Sequence, residues 1–204
     1  MKPLRNEDGI ALVTSLLLTL ISLTVMLAVL YLITQGIATS SAQKRYKNSL
    51  EAAHGGVEFF SKEIIPRLMQ GDSAGTLTTA FSGINLAIPS SNCLSQKLNN
   101  STAQWTACTG AVLTSDPKQS PDITFTLAGA GGSGNYKVYS KIVDATPGNS
   151  DSSGIDYLES GSGVTGTSSG VSPKHMPGMY RIEAAGEKEV NPNERALLSV
   201  LYAY

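Results

Sequence analysis

The chain has 204 residues, and its 15 Lys and Arg residues nearly balance its 16 Asp and Glu residues, which gives a formal net charge of -1. Because the basic residues are scattered rather than clustered, the sequence offers no electrostatic footprint for nucleic acid, and we exclude nucleic acid as a partner. An apolar segment near the N-terminus leaves roughly 140 residues for one outer domain, a common size that can hold a single core.

The apolar segment is the first predicted element. The chain carries no Asp, Glu, Lys or Arg from Ile10 to Gln43, and residues 10–33 include nine Leu, three Ile and three Val. On the insertion scale these side chains favour entry into a bilayer by about 6 kcal/mol. The composition predicts one membrane-spanning helix. The alternative is a cleaved secretory signal, whose apolar region is shorter, about 7 to 15 residues.

The charges that flank this segment do not decide its orientation, because Lys2 and Arg5 before it are matched by Lys44, Arg45 and Lys47 after it. The rest of the chain is rich in Ser, Thr, Gly and Asn and contains both cysteines. These features favour an exported C-terminal side. We therefore expect a single-pass inner-membrane protein with its C-terminal part in the periplasm.

The two cysteines, Cys93 and Cys108, both follow the apolar segment. An oxidising periplasm would let them form a disulfide that closes a loop of about 15 residues, which the chain-entropy model values at about 3 kcal/mol. A metal-binding or redox pair is the alternative, but the spacing offers no further ligands. We predict a structural disulfide, with no metal and no cofactor.

Beyond Gln43 the pattern becomes amphipathic, with apolar residues at spacings of three and four. Pro66 and Gly71 are the first stop signals, so one helix is predicted from about Ile10 to about Ile65. It would have a transmembrane half, 10–43, and an amphipathic half, 44–66, whose apolar face packs on the chain's own outer domain. The predicted face consists of Tyr46, Leu50, Ala53, Val57, Phe60 and Ile64.

Small residues mark two places on this helix. Ser15, Thr19 and Ser22 form a polar strip, which either lets helices approach closely in lipid or merely bonds its own backbone. The pair Gly55-Gly56 predicts a bend or the close approach of another backbone.

These residues carry a resemblance to a known family. A basic leader, a glycine directly before an apolar helix and the amphipathic continuation resemble the class III signal of type IV pilins. The N-terminal region is more narrowly similar to the PilX-type minor pilins. The match covers about the first 60 residues and consists of Gly9-Ile10-Ala11-Leu12-Val13, then Asn48, then Ala52-Ala53-His54-Gly55-Gly56-Val57-Glu58.

The resemblance implies a leader, 1–9, that prepilin peptidase cuts after Gly9, and N-methylation of the new terminus at Ile10. Two positions depart from the usual pattern. Most pilins begin the mature chain with phenylalanine, where this chain has Ile10, and major pilins carry a glutamate at the fifth mature position, where it has Thr14. Family members that lack this glutamate are placed at the filament tip, so the resemblance implies an initiating or tip subunit.

After Pro66 the apolar segments shorten and alternate, which predicts strands. The expected fold class is α+β, with the long helix packed on an antiparallel β-sheet head, 67–204. A glycine-rich stretch, 129–135, is predicted as a hairpin loop, since it lacks the lysine and spacing of a phosphate-binding loop. The candidate strands are Thr76 to Phe81, Trp105 to Thr114, Ile123 to Ala128, Tyr136 to Asp144, Met179 to Ala185 and Arg195 to Tyr204.

Residues 145–177 contain almost no apolar side chains and are predicted as a flexible surface loop. Asp144, Asp151, Asp156 and Glu159 could offer oxygen ligands to calcium, but their spacing does not follow the EF-hand pattern. His175 has no partners in the sequence that would complete a catalytic set. We therefore expect no catalysis.

The function that the resemblance implies is the priming of type IV pilus assembly at or near the filament tip. Its partners would be other minor pilins, the major pilin, prepilin peptidase and a tip adhesin. Two alternatives stay open: a type II secretion pseudopilin at the pseudopilus tip, and an uncut single-span periplasmic binding module.

Overall fold

The computed structural model describes residues 7–110, 114–129, 132, 134–148 and 177–204. The chain divides into two units, the first ending at Arg45 and the second beginning at Tyr46. Most of the predicted leader and of the predicted loop 145–177 lies outside the described residues, and so do Asp151, Asp156, Glu159 and His175.

The N-terminal helix is confirmed. Helix α1 spans Glu7–Phe59, a π-helical turn follows at Phe60–Ile64, and helix α2 spans Ile65–Met69. Helical structure therefore continues one turn beyond the predicted end. The π-helical turn, in which the N–H of Ile65 donates to the carbonyl of Phe60, directly precedes Pro66, and α2 continues past the proline. Gly71, with a φ of 99°, follows the last helical turn in a conformation that glycine adopts readily.

Four strands form one antiparallel sheet in the order β1-β2-β3-β4. They are β1 Ile123–Ala128, β2 Asn135–Thr146, β3 Met179–Lys188 and β4 Arg195–Ala203. The last four predicted strands are thus confirmed, as is the α+β class. Strand β2 continues to Thr146, so the first two residues of the predicted loop 145–177 belong to the sheet instead.

The strand predicted over Thr76 to Phe81 is wrong, because helix α3 occupies Ala74–Ala80. Ser73 caps this helix: its Oγ accepts the backbone N–H of Thr76 at 3.1 Å. The β-propensity of the threonines is overridden, since Leu77 is the one residue of α3 that is buried in the core.

The strand predicted over Trp105 to Thr114 is also wrong within its described residues. A 3₁₀ turn at Thr102–Gln104 and further turns occupy this part of the chain. The Nε1 atom of Trp105 donates to the carbonyl of Asn100 at 3.1 Å, which folds the chain back toward helix α4, Ser91–Asn99. That helix was not predicted.

The core lies between the helical segment that begins at Tyr46 and one face of the sheet. Ala53, Phe60 and Ile64 from the predicted apolar face are fully buried, whereas Tyr46 is 48% exposed. The opposing sheet face supplies the fully buried Val138 and Ile182. The amphipathic half of the helix is therefore part of the second unit, and its apolar face starts later than the sequence predicts.

Candidate functional site

From Ile10 to Ile37, the helix in the first unit has exposed large apolar side chains on every side. These side chains are each between 48% and 68% exposed. An 18-residue window of this helix has a mean hydropathy of 2.7 and is 0% buried. Among the described residues, this is the one helix long and apolar enough to cross a membrane.

The residues predicted for processing lie at the start of this helix. Gly9 and Ile10 are in the first turn of α1, and Ile10 is 64% exposed. Thr14 follows one turn later, and its Oγ1 donates to the carbonyl of Ala11 at 3.0 Å. Position 14 therefore holds a neutral hydroxyl that is hydrogen-bonded within its own helix.

The predicted polar strip makes the same kind of hydrogen bond. Ser15 Oγ donates to the carbonyl of Leu12 at 2.9 Å, and Thr19 Oγ1 donates to that of Leu16 at 2.8 Å. Ser15 and Thr19 thus bond their own backbone, which is one of the two alternatives for this strip, and the close approach of another helix stays a prediction. A hydroxyl satisfied in this way enters lipid at a lower free-energy cost than one without a partner.

A close backbone contact joins residues 46–59 of α1 to the sheet. A Cβ added at Gly186 in β3 would lie 2.3 Å from the carbonyl oxygen of Ser49 and 2.8 Å from the backbone nitrogen of Ala53. Such distances are far inside van der Waals contact, so helix and strand touch through their backbones here. On the helix side, Gly56 faces the side chain of Val138, so the close approach predicted at the glycine pair is made by a side chain rather than by another backbone.

The two adjacent helix glycines provide a matched test of this contact. A Cβ at Gly56 would lie 2.4 Å from Val138 Cγ1, so Gly56→Ala should destabilise the fold by about 1–3 kcal/mol through overpacking. A Cβ at Gly55 would lie 3.6 Å from Leu127 Cδ1, an ordinary contact, so Gly55→Ala should stabilise the helix by up to about 1 kcal/mol. Thermal unfolding of the two variants checks this, and shifts of equal sign and size would contradict it.

A polar contact and an aromatic group hold the two ends of this interface. Asn48 Nδ2 donates to the hydroxyl of Tyr136 at 3.2 Å. Toward the C-terminal end of the helix, the ring of Phe59 lies 5.0 Å from that of Phe81 and 4.9 Å from that of Phe125. The Phe59–Phe81 pair is edge-to-face and the Phe59–Phe125 pair is tilted; aromatic pairs add about 0.5–1.5 kcal/mol beyond the area that they bury. The asparagine that carries part of the family resemblance thus connects the helix to the sheet.

The second unit also contains a buried ion pair. Lys97 of α4 and Asp122 have side chains that are 0% and 4% exposed, and the Lys97 Nζ donates to both carboxylate oxygens, at 2.8 and 2.9 Å. The Nζ also donates to the carbonyl of Ile142 at 2.8 Å, and Asp122 accepts the backbone N–H of Ile142 at 2.7 Å. Burial lowers the pKa of Lys97 and raises that of Asp122, while each partner's charge acts in the opposite direction.

The disulfide bond lies beside this pair. Cys93 of α4 is bonded to Cys108, with the two Cα atoms 4.7 Å apart and a separation of 15 in the sequence. The closed loop carries Trp105, whose ring lies 5.3 Å from the Lys97 Nζ. The disulfide therefore anchors the loop that covers the buried lysine.

The outer face of the sheet, opposite the helix, is charged and partly covered. Residues 116–119 are tied to it: Lys118 pairs with Glu187 at 2.7 Å, and Arg195 pairs with Asp116 at 2.9 Å. The hydrogen bond and charge of Glu187 raise the pKa of Lys118. Within the described ranges, no group of three His, Cys, Asp or Glu could hold a metal ion.

A groove of about 370 Å³ opens between the short helices of the second unit. Leu68, Leu94 and Leu98 contribute apolar lining, while serine and asparagine side chains from both ends of α4 line the rest. Among its described lining residues, Asp72 is the one ionisable side chain, so the groove brings together no acid–base pair.

Searches of family models, of curated proteins and of solved structures find no match to this chain.

Two features of this arrangement, the buried Lys97 and the close contact at Gly186, are not predicted from the sequence. Lys97 follows Cys93 and Leu94 at helical spacing, and a lysine on an apolar stripe could have indicated a buried partner. Gly186 carried no comparable local signal, because a glycine after two alanines in a strand does not reveal which backbone crosses it.

Proposed function

We propose that this chain is a minor pilin of the PilX type that helps to prime type IV pilus assembly and lies at or near the filament tip. In this proposal prepilin peptidase cuts the chain after Gly9, and Ile10 becomes the N-methylated N-terminus. The chain performs no catalysis itself.

The observation that carries the proposal is the unequal burial of one helix. Its first part, through Ile37, has exposed apolar side chains on every side, whereas Ala53 and Phe60 farther along are buried in the core beside an antiparallel sheet. A helix of the first kind needs either lipid or other apolar helices around it. Passage from the membrane into a bundle of pilin helices would supply both in turn.

The proposed mechanism is templating. The apolar half of the helix packs against the helices of other minor pilins and of the major pilin, while the sheet-bearing head contacts neighbouring heads and a tip adhesin. The rigid backbone contact between Gly186 and Ser49 supports this role, because it fixes the sheet on residues 46–59 of the helix.

Thr14 supports a position at the end of the filament. A carboxylate within the span would cost about 2.5–3.5 kcal/mol near the bilayer centre and less near its edge, and in a filament shaft it is offset by the amine of a neighbouring helix. Thr14 is neutral and bonded to Ala11, so it has no charge to pair. A subunit without this pair suits a position that has one neighbour fewer.

Substitution of Gly9 tests the proposal in cells. Gly9→Val should block cleavage, leave the chain in its longer form and lower the number of surface pili at least several-fold. Gly36→Ala is the matched control, since a Cβ at Gly36 has no atom within 4 Å in the described structure. That variant should be cut and should support normal piliation.

Two outcomes would contradict the proposal. Gly9→Val cells that carry a normal number of pili and process pilin normally would reject the pilin assignment. That result would favour an uncut membrane-anchored module. Normal piliation combined with lost protein secretion would instead assign the chain to a secretion pseudopilus.

A further inference from the structure

Strand β4 forms one edge of the sheet, and within the described part of the chain its hydrogen-bonded neighbour is β3 alone. The opposite edge is different, because β1 makes an additional antiparallel bridge between Thr124 and Ala87. The two edges of this sheet are therefore not equally protected.

Protected edge strands are typically short, bulged, charged or interrupted by proline. Strand β4 has nine residues, pairs with β3 in unbroken register and contains neither charge nor proline from Ala196 to Ala203. The β2–β3 pairing, by contrast, shifts register between Ile142 and Asp144. Strand β4 thus retains the geometry that permits another strand to pair with it.

The hydrogen-bond pattern identifies which residues face the free edge. Gly178 and Tyr204 exchange two backbone hydrogen bonds of 2.9 Å, so the alternating residues Tyr202, Val200 and Leu198 also bond to β3. The intervening residues Leu197, Ser199 and Leu201 consequently direct their N–H and C=O groups away from β3. Leu197 and Leu201 also have side chains that are 53% and 65% exposed.

The sequence of β4 is nearly symmetric about Ser199. In an antiparallel pair of two copies centred there, Ser199 would face its own equivalent, Leu197 would face Leu201, and Leu198 would face Val200. Each of these pairs places apolar against apolar or hydroxyl against hydroxyl, and no like charges meet. On the neighbouring strand, Arg181 and Glu183 neutralise each other at 2.9 Å.

We infer that β4 is a self-association edge: two copies of this chain pair through β4 in antiparallel register, centred on Ser199, and join their sheets into one. The inference does not depend on the proposed function, since cleaved and uncleaved chains carry the same β4. Apolar cross-strand pairs contribute roughly 0.2–1 kcal/mol each, so the association is expected to be reversible.

Cysteine cross-linking tests the register in the full chain, either in membranes or in detergent. The chain's two native cysteines are already bonded to each other, so a new cysteine supplies the reactive thiol. In a hydrogen-bonded antiparallel pair the Cα atoms are about 5.5 Å apart, within the range of a disulfide. Under copper-phenanthroline, Ser199→Cys should form covalent dimers at least tenfold more efficiently than Leu197→Cys, which would face Leu201 of the other copy.

A charge exchange supplies a second readout. Leu197→Glu alone and Leu201→Lys alone should each lower the dimer fraction measured by light scattering in detergent, because a charge would face leucine. The double variant should restore it, since the carboxylate introduced at position 197 would then face the ammonium group introduced at position 201 of the other copy. Equal cross-linking at positions 197 and 199, absence of dimers, or no restoration in the double variant would overturn the inference.

Discussion

Gly186→Ala should destabilise the protein by about 3 kcal/mol or more, at the upper end of the effects of overpacking. The added Cβ would lie 2.3 Å from the carbonyl oxygen of Ser49 and 2.8 Å from the nitrogen of Ala53. Both atoms belong to the backbone of a helix, so neither can move aside by a change of rotamer. The helix would have to lift from the sheet and lose the burial of Ala53 and its neighbours.

The measurement is thermal unfolding of the full chain in detergent, followed by the fluorescence of Trp105, the chain's single tryptophan. Gly83→Ala is the matched control, because a Cβ there meets no atom within 4 Å in the described structure. We expect Gly83→Ala to unfold like the unmodified protein. A Gly186→Ala variant that does the same would show that the backbone contact is not needed for the fold.

Lys97→Met should cost about 3–5 kcal/mol, the usual consequence of removing one partner from a buried ion pair. The methionine fills similar space but leaves the carboxylate of Asp122, which is 4% exposed, without its cation. Lys62→Met is the control, since Lys62 pairs with Glu58 at 2.6 Å on the exposed surface of the same unit. It should leave the unfolding midpoint nearly unchanged.

The cost of Lys97→Met should depend on pH. Burial raises the pKa of the Asp122 carboxyl, and removing the lysine removes the main group that opposes this effect. A carboxyl whose pKa is higher in the folded state favours folding below its unfolded pKa of about 3.9, and this contribution is lost as pH rises through the folded pKa. The variant should therefore be least destabilised at acidic pH.

A second substitution separates charge from packing in this variant. In Lys97→Met/Asp122→Asn the buried charge is gone, while the amide oxygen can still accept the N–H of Ile142. We expect the double variant to recover most of the lost stability at neutral pH. Equal stability of the single and double variants at neutral pH would mean that the uncompensated charge is not the cause.

Features of this fold that depend on residues close together in the sequence can be predicted from it, and features that depend on distant residues cannot. The apolar stretch from Ile10 and the four alternating segments after Ile123 were predicted because their periodicity is set by which faces are buried. The short alternating pattern after Pro66 predicts a strand over residues 76–81, whereas Ser73 caps a helix there. A short segment with one buried residue has too few buried positions to form a periodic pattern.

The features that fix the second unit are the least local. Gly186 contacts Ser49, and Lys97 pairs with Asp122, across separations in sequence that no single-chain pattern encodes. The cysteines were a partial exception: with two in the chain, one pairing was possible. The pairing did not reveal that its loop places Trp105 against the buried lysine.

The residues on which the proposed function depends lie in the first turns of α1. The structure gives the exposure and hydrogen bonds of these residues, but it does not contain the processing reaction. Gly9, Ile10 and Thr14 derive their proposed roles from the family resemblance. What the fold adds is the physical setting: an apolar helix that needs a membrane or other helices around it, joined to residues that hold a sheet through close backbone contact.

The mass and N-terminal sequence of the protein isolated from its native membrane test whether the chain is processed as a pilin. We expect a chain that begins at Ile10 and carries one added methyl group on its terminal nitrogen. In cells without prepilin peptidase, the same protein should begin at Met1. A chain that begins at Met1 in cells with an active peptidase would reject the pilin proposal.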